Sequence, residues 1–274
     1  MKMAYDVIVI GGGPAGLSAA VNVRARGRSV LVISNPMEEN PLWKAELVDN
    51  YLGLPGLSGA ELLERFRAHA EQAGAEFRTG RVLNALAVGD DWYVSIGADV
   101  ESAKAVVLAA GVARARKFPG EAEFLGKGVS YCATCDGMLY RNRPVAVLGY
   151  SANAPQEAEF LRSIGCTVSY FDKPKKCEIQ GGDKAERVIC DGEAAEVDCV
   201  FLLRPTLAPT DVFPGIALEN GYVGVDRSMA TNLPGVFAAG DCTGLPLQVS
   251  KAVGDGLTAG QSAAKYVAGL AKRQ

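Results

Sequence analysis

The chain has 274 residues, of which 49% are hydrophobic and 22% charged, and its formal net charge is −3. This length suffices for two domains with sizeable cores. The small negative charge argues against nucleic acid or a membrane surface as a partner, and no apolar run in the sequence is long enough to span a bilayer.

The first predicted element is a βαβ unit over residues 7–33, in which a buried strand, a glycine-rich turn, a helix and a second buried strand follow one another. Gly11, Gly13 and Gly16 form the pattern G-x-G-x-x-G at the first turn. Gly11 permits the tight turn, Gly13 lets backbone N–H groups approach a pyrophosphate, and Gly16 lets the helix pack close to the strand. The unit therefore predicts a dinucleotide site.

The ribose-binding part of this site is not apparent in the sequence. An acidic residue that would bind a ribose hydroxyl is expected after the second strand, but Ser34 and Asn35 stand there. Ribose recognition is therefore left unassigned.

Further along the chain, residues 131–137 (YCATCDG) contain the only C-x-x-C pair, Cys132 and Cys135. A structural zinc site needs more ligands, and the single histidine, His69, belongs to a distant amphipathic helix. We therefore expect no metal and interpret the pair as a redox dithiol, in which one of the two thiols ionises readily.

A second βαβ pattern at residues 145–171 repeats residues 7–33 at a constant offset. Its glycine motif is broken, because Ser151 replaces the second glycine and places a Cβ where a phosphate would approach, and Tyr150 adds bulk to the turn. The pattern favours a domain that has kept its fold and lost its nucleotide. Asp172 keeps NADH open as a ligand, because a carboxylate after the second strand can hold a ribose hydroxyl.

The other cysteines are interpreted one by one. Seven cysteines, an odd number, favour a reducing, cytoplasmic compartment in which any disulfide is catalytic rather than structural. Cys166, Cys177, Cys190 and Cys199 are expected to be small apolar fillers or strand residues, and Cys242 is left without a role.

Several motifs together resemble the low-molecular-weight thioredoxin reductases over nearly the whole chain. They are residues 11–20 (GGGPAGLSAA), 48–77, 106–112 (VVLAAGV), 131–137 and 231–241 (TNLPGVFAAGD). The resemblance implies an α/β fold with two Rossmann-like, doubly wound domains. A discontinuous FAD-binding domain would cover residues 1–112 and 216–274, and an inserted domain over residues 113–215 would carry the cysteine pair.

The resemblance also assigns residues to FAD. Asp241 would bond the ribityl chain, and Asn50 would lie near the flavin. With the first glycine motif, the expected FAD-binding residues are Gly11, Gly13, Pro14, Ala15, Gly16, Asn50, Gly111, Gly240, Asp241, Gln248 and Val249.

Within that family the chain is most similar to the NADPH-independent branch, the ferredoxin-dependent flavin thioredoxin reductases. The basic cluster for the NADPH 2′-phosphate is replaced by residues 171–176 (FDKPKK), the segment 177–200 is shortened, and Leu247–Gln248 stands where the family has Arg-Gln. The resemblance implies reduced ferredoxin as the electron donor, thioredoxin as the substrate and a homodimer.

The implied mechanism gives each cysteine a separate task. Electrons delivered singly by ferredoxin would be paired at FAD. Cys135 would lie beside the flavin, and Cys132 would attack the thioredoxin disulfide before Cys135 resolves the mixed disulfide. Asp136 is either an acid or base beside the pair or a carboxylate stabilised by the helix dipole.

Three other functions stay open. The first is an NAD(P)H-dependent reductase of thioredoxin or peroxiredoxin with an unusual nucleotide turn, and the second is a diflavin disulfide oxidoreductase with another flavin in the emptied site. The third is a flavin-binding redox sensor whose cysteine pair switches conformation. An intact C-x-x-C-D together with a complete FAD motif favours turnover over sensing.

Overall fold

The computed structural model describes residues 4–112, 117–205 and 207–272. The chain divides into two compact units, one formed by Met1–Ala113 with Thr206–Gln274 and the other by Arg114–Pro205. The inserted unit thus ends at residue 205 and not at residue 215 as expected. The residues that follow pack into the first unit, where Phe213 is fully buried and its ring meets that of Trp92 edge-on at 5.6 Å.

The two βαβ units predicted from the sequence are present as β1-α1-β2 and β8-α4-β9. In chain order the strands are β1 (Tyr5–Ile10), β2 (Val30–Ser34), β3 (Glu76–Thr79), β4 (Val82–Val88), β5 (Asp91–Ile96), β6 (Asp99–Leu108), β7 (Val129–Ser130), β8 (Pro144–Gly149), β9 (Thr167–Asp172), β10 (Cys177–Gly181), β11 (Ala185–Cys190), β12 (Glu193–Glu196), β13 (Cys199–Leu203), β14 (Leu218–Glu219), β15 (Tyr222–Val223) and β16 (Val236–Ala238). The helices are α1 (Pro14–Arg24), α2 (Gly59–Gln72), α3 (Ala133–Asp136), α4 (Ala154–Ser163), α5 (Pro209–Val212) and α6 (Val249–Leu270).

The sheet of the first unit has the order β3-β2-β1-β6-β5-β4. Its first four strands are parallel, β5 and β4 continue it antiparallel, and β16 pairs in parallel with the end of β6. The helices α1 and α6 share one buried core with these strands, which includes Val7, Val107 and Ala259. The carboxyl ends of β1, β6 and β16 therefore meet at one edge, and each of them leads into a glycine predicted to bind FAD.

The sheet of the inserted unit is parallel and has the order β7-β13-β8-β9. Val145 pairs with Val168 as Val7 pairs with Val30 in the first unit, so the repeat in the sequence is also a repeat of strand register. Apolar clusters cover both faces of this sheet. The predicted α/β fold with two Rossmann-like units is confirmed.

The shortened segment after β9 forms an antiparallel meander, β10-β11-β12. Cys177 in β10 lies directly opposite Cys190 in β11, and a disulfide joins the two. The prediction that Cys177 and Cys190 are fillers or strand residues is confirmed as to the strands. The prediction that any disulfide is catalytic rather than structural is wrong, because these two cysteines form a second bridge. Opposed positions on antiparallel strands bring two Cβ atoms within bridging distance, a proximity that isolated cysteines in a sequence do not reveal.

None of the described helices combines the length and the apolar character needed to cross a membrane.

The hairpin disulfide is expected to stabilise the inserted unit. Its cysteines are 13 residues apart in sequence, and closing a loop of this size in the unfolded chain contributes about 3 kcal/mol. Replacing Cys177 and Cys190 by alanine should therefore lower the thermal unfolding midpoint by roughly 5–10 °C, measured by circular dichroism.

The control starts from the double variant Cys132→Ser, Cys135→Ser. This variant lacks the C-x-x-C disulfide and keeps the hairpin disulfide. Reductant should lower the unfolding midpoint of this background, and the added alanine pair should abolish that effect. Equal midpoints with and without the hairpin cysteines would contradict a stabilising role.

Candidate functional site

The first βα turn requires glycine at two positions, because a backbone carbonyl group lies where a Cβ would be. Gly11 follows β1 with φ of +117°, and a Cβ there would overlap the carbonyl group of Ala109, just after β6. Gly16 lies against the carbonyl oxygen of Gly11 in the same manner. Any larger residue at either position would push α1 away from the sheet edge.

The N-terminus of α1 offers its backbone N–H groups to a ligand. Gly13 is the N-cap in an extended conformation, and no side chain within the described residues caps this helix. Pro14 occupies the first helical position, where its missing N–H removes no hydrogen bond. Free N–H groups at the positive end of a helix are the donor set that a pyrophosphate requires, so this turn fits the pyrophosphate of FAD.

The end of β2 supplies polar but uncharged groups to the same turn. A Cβ on Gly12 would lie 2.8 Å from Ser34 Oγ, and one on Gly13 would lie 3.1 Å from Asn40 Nδ2. The side chain of Asn40 also caps a short 3₁₀ turn by accepting from Leu42 N at 2.9 Å. Ser34 and Asn40 are therefore the nearest candidates for the ribose-binding role that the sequence left unassigned.

Helix α6 returns the C-terminal segment to this turn. Gly256 and Gly260 let α6 approach α1 so closely that a Cβ at either position would overlap the carbonyl oxygen of Ala15 or Ala19, respectively. The same contact brings Gly240 against Ala15, since a Cβ on Gly240 would lie 2.8 Å from Ala15 Cβ.

The start of α6 is also tied to the loop around Asn50. Val249 is the first residue of the helix, and the preceding Gln248 accepts a hydrogen bond from Asn50 Nδ2 at 2.8 Å. The residues predicted to bind FAD, including Gly111 after β6, thus come from one edge of the first unit and the start of α6.

Lys251 is a residue of this site that sequence reasoning missed. Its Nζ donates to the carbonyl oxygens of Gly240 and Gly244 at 2.7 and 2.9 Å and to Thr243 Oγ1 at 2.9 Å. It also pairs with Asp255 at 2.9 Å. Lys251 therefore binds both ends of the 3₁₀ turn that carries Asp241. Its i,i+4 spacing to Asp255 is the signal by which the sequence could have indicated this role.

The C-x-x-C pair lies in the inserted unit and forms a disulfide. Cys132 is the N-cap of α3, and its Sγ accepts from the N–H of Cys135 at 3.2 Å. Cys132 is 5% exposed and Cys135 is half-buried. An N–H group directed at sulfur favours the thiolate, which is the nucleophile in disulfide exchange.

Asp136 is linked to the pair through a serine. Ser130 Oγ donates to Asp136 Oδ2 at 2.7 Å and accepts from the N–H of Cys132 at 3.1 Å. This arrangement holds the carboxylate close to the pair and is compatible with both roles predicted for it. Beyond α3, the apolar side chains of Met138 and Leu139 are exposed.

The second βα turn uses its backbone N–H groups within the protein. Tyr150 N and Ser151 N both donate to the carbonyl oxygen of Leu203, at 3.0 and 2.9 Å. Helix α4 begins at Ala154, two residues later than the repeat predicts. Ser151 Oγ is buried and has no hydrogen-bond partner among the described residues. The N–H groups of Tyr150 and Ser151, which match those of Gly12 and Gly13 in the repeat, are thus occupied within the protein.

Five side chains fill the carboxyl edge of the parallel sheet in the inserted unit, and we call them the edge cluster. Three of them directly follow β7, β8 and β13. The members are Phe118, Glu121, Tyr131, Tyr150 and Arg204. Because ligands of parallel sheets bind at this edge, the cluster occupies the place of a nucleotide.

The edge cluster is built around a buried ion pair. Arg204 Nη1 and Nη2 donate to the two carboxylate oxygens of Glu121, the second at 2.8 Å, and both side chains are buried. Tyr131 Oη and Phe118 N also donate to this carboxylate, at 3.0 and 2.9 Å. The guanidinium of Arg204 lies over the rings of Phe118 and Tyr150, 5.2 and 5.9 Å from their centroids.

Hydrogen bonding keeps this pair ionised. Burial alone would raise the pKa of Glu121, but hydrogen bonds from Arg204 and Phe118 N hold that pKa below its usual value. Burial would lower the pKa of Arg204, and its hydrogen bonds to Glu121 raise the pKa instead. Burial also raises the pKa of Tyr150 to about 12, so its hydroxyl stays protonated and donates to the carbonyl oxygen of Pro174 at 2.6 Å.

The three free cysteines, Cys166, Cys199 and Cys242, are buried. Burial raises the pKa of Cys242 to about 12 and also raises the pKa of Cys199, so neither thiol ionises at neutral pH. A thiol that stays protonated is a poor nucleophile. Within the described ranges, no three His, Cys, Asp or Glu side chains converge to hold a metal ion.

Comparison with known proteins gives consistent matches. The sequence model of a family described as pyridine nucleotide-disulphide oxidoreductase matches residues 5–183 and 174–256. A thioredoxin reductase of Listeria innocua is 33% identical, over 96% of this chain and 94% of that protein.

Two solved structures share the fold over nearly their whole length. A ferredoxin-flavin thioredoxin reductase from Clostridium acetobutylicum has a TM-score of 0.92 at 34% identity and covers 99% of this chain and 100% of that one. A thioredoxin reductase from Gloeobacter violaceus has a TM-score of 0.83 at 30% identity and covers 100% of this chain and 96% of that one.

Lys251→Met should weaken FAD binding about tenfold, because the turn that carries Asp241 loses the donor that holds both of its ends. Apoprotein is titrated with FAD, and quenching of flavin fluorescence reports the dissociation constant. Lys265→Met, an exposed lysine of the same helix, serves as the control and should bind FAD like the parent protein. Equal affinities of the Lys251 variant and the parent would show that the turn holds its shape without the lysine.

Proposed function

This chain belongs to the pyridine nucleotide-disulphide oxidoreductase family, and on that basis we propose that it is an FAD-dependent enzyme that reduces the disulfide of thioredoxin with electrons from reduced ferredoxin. FAD is the cofactor of this family. The first unit supplies its binding turn, and the inserted unit supplies the disulfide that exchanges with substrate.

The observation that carries the choice of donor is the edge cluster. A nicotinamide nucleotide would have to bind at the carboxyl edge of the inserted sheet, where the ion pair of Glu121 and Arg204 is buried. It would also need the N–H groups of Tyr150 and Ser151, which donate to Leu203. Electrons are therefore better supplied by a protein donor than by NADH or NADPH.

The energetics of ferredoxin as donor are favourable. Plant-type ferredoxins have potentials near −400 mV and thioredoxin has a potential near −270 mV. The difference of ~130 mV corresponds to about 6 kcal/mol for two electrons. Bound FAD supplies the conversion from one-electron to two-electron chemistry, which a dithiol alone performs poorly.

The residues of the inserted unit then carry out thiol–disulfide exchange. Reduction of the Cys132–Cys135 disulfide releases two thiols, and the thiolate of Cys132 attacks one sulfur of the thioredoxin disulfide. The thiolate of Cys135 attacks Cys132 in the mixed disulfide, which releases reduced thioredoxin and restores the protein disulfide. Asp136, held by Ser130, is placed to accept or return a proton at the pair.

The surroundings of the pair suit a protein substrate. Met138 and Leu139 present exposed apolar side chains a few residues after Cys135, which a protein substrate docked at the pair would cover. We also propose a cytoplasmic homodimer, as the resemblance to the family implies.

Two alternative functions depend on the same edge of the inserted sheet. An NAD(P)H-dependent reductase would use Asp172 to hold a ribose, and a diflavin enzyme would place a second flavin there. Either ligand would have to displace the edge cluster, so we rank both below ferredoxin. A redox sensor would keep the disulfide but would not turn over, and a thioredoxin reduction assay separates that function from the proposed one.

The first test identifies the donor. Anaerobic protein is mixed with NADPH, NADH and pre-reduced ferredoxin in turn, and the visible absorbance of the flavin is followed. We expect ferredoxin alone to bleach the flavin. The same series in a Cys132→Ser, Cys135→Ser variant separates flavin reduction from disulfide reduction. Prompt, stoichiometric bleaching by either nicotinamide would contradict the proposed donor.

The second test assigns the two cysteines. Cys135→Ser should trap a mixed disulfide between Cys132 and thioredoxin, whereas Cys132→Ser should trap none, because only the attacking thiolate forms that bond. Both variants should lose thioredoxin turnover and keep flavin reduction by ferredoxin. Cys166→Ser, a free thiol of the same unit, should keep turnover. The adducts are read by non-reducing gel and mass spectrometry, and a trapped adduct in Cys132→Ser would reverse the assignment.

A further inference from the structure

Glu157 is a buried carboxylate of the inserted unit that the proposed mechanism does not use. It lies in the first turn of α4 and is 8% exposed. Its Oε2 accepts from the backbone N–H of Ala133 at 3.2 Å, and its Oε1 accepts from Asn153 Nδ2 at 3.0 Å. These two N–H donors offset part of the cost of burying the carboxylate.

The hydrogen bond from Ala133 connects α4 to the cysteine pair. Ala133 is the first residue of α3, and its N–H belongs to the peptide group of Cys132. The two helices also pack tightly, since a Cβ on Gly137 would lie 2.8 Å from Leu161 Cδ2 and 3.1 Å from Phe160 Cε1. Helix α4 therefore supports the active-site turn, and Glu157 is its polar contact with that turn.

The charge of Glu157 opposes the other groups around Cys132. The N–H of Cys135 donates to Cys132 Sγ at 3.2 Å, and Thr134 Oγ1 lies 3.4 Å from the same sulfur. Both groups favour a thiolate, whereas a nearby carboxylate disfavours it. Stabilising the thiolate stabilises the reduced pair and makes it a weaker reductant. A negative charge beside Cys132 has the reverse effect.

We propose that Glu157 is a positioning residue that holds the first turn of α3 against α4 and keeps the Cys132–Cys135 dithiol strongly reducing. This inference rests on the proposed role of the pair in reducing thioredoxin. Glu157 touches neither sulfur nor substrate in this role, and it acts through the peptide group that joins Cys132 to Ala133.

The test measures the dithiol–disulfide equilibrium of the pair without ferredoxin or thioredoxin. Holoprotein is equilibrated with mixtures of reduced and oxidised dithiothreitol. The protein disulfide takes up two electrons and two protons as the two thiols of dithiothreitol close to a cyclic disulfide. Alkylation and mass spectrometry then count the free thiols of the peptide that contains Cys132 and Cys135.

Glu157→Gln keeps an acceptor oxygen and removes the charge. We expect its equilibrium constant to shift about tenfold toward the reduced protein, which corresponds to about 30 mV for a two-electron couple. In a Cys135→Ser background the same substitution should speed alkylation of Cys132 several-fold. Glu159→Gln, on the exposed side of the same helix, should leave both measurements at the parent values. Glu157→Asp, which keeps the charge, should lie closer to the parent than Glu157→Gln does.

Three results would overturn the inference. The first is a Glu157→Gln variant whose dithiol–disulfide equilibrium constant and Cys132 alkylation rate equal those of the parent. The second is a Glu159→Gln variant whose equilibrium constant shifts as much as that of Glu157→Gln. The third applies if Glu157→Gln does not fold. In that case a tenfold shift of the equilibrium constant in Glu157→Asp, which keeps the charge, would contradict the inference. The dithiothreitol equilibration contains neither ferredoxin nor thioredoxin, so its results are independent of the donor experiment. Bleaching of the flavin by a nicotinamide in the donor experiment would contradict the proposed function and not this inference.

Discussion

A backbone N–H group makes one strong hydrogen bond, and the use of a few such groups distinguishes the two units of this chain. In the first unit no side chain of the described residues caps α1 behind Gly13, and N–H groups at such a helix start can donate to an anion. In the inserted unit the N–H groups of Tyr150 and Ser151 already donate to Leu203. The strand registers of the two units match, so the two units differ in the turn and not in the sheet.

The edge cluster fills the carboxyl edge of the sheet in the inserted unit. Burying two charges contributes little net stability, but removing one partner leaves the other charge buried and alone, at a cost of about 3–5 kcal/mol. Loss of Arg204 would leave the carboxylate of Glu121 buried without its partner and would therefore destabilise the fold by that amount. The donors Tyr131 and Phe118 N satisfy the remaining acceptor positions of the carboxylate. The cluster is therefore a fixed part of the fold as well as an obstacle to a nucleotide.

The sequence predicts what depends on local pattern. The βαβ repeat predicts the two sheets, because buried strands of similar length flank a glycine turn in both copies. The broken motif at Ser151 predicts the loss of the second nucleotide site, because one missing glycine changes what the turn can approach, and this loss stays a prediction. The boundary at residue 205 was missed, since it depends on the packing of Phe213 against Trp92 and not on composition.

Local sequence patterns do not predict contacts between residues that are distant in sequence. Glu121 and Arg204 are 83 residues apart, and each alone reads as an ordinary surface charge. The pairing of Cys177 with Cys190 depends on hairpin register, which no motif in the segment specifies. Glu157 acts on a backbone group, which residue identity does not reveal, and Lys251 is marked in the sequence by its i,i+4 spacing to Asp255 alone.

The edge cluster also limits how this chain can change over generations. Glycine at position 151 would add nothing by itself, because the carbonyl of Leu203 would still hold both N–H groups. Loss of Arg204 alone would leave a buried charge, and loss of Glu121 alone would do the same. Each of these single substitutions is thus without benefit to nucleotide binding or harmful to the fold. Opening this edge to a nucleotide would therefore require several substitutions at once.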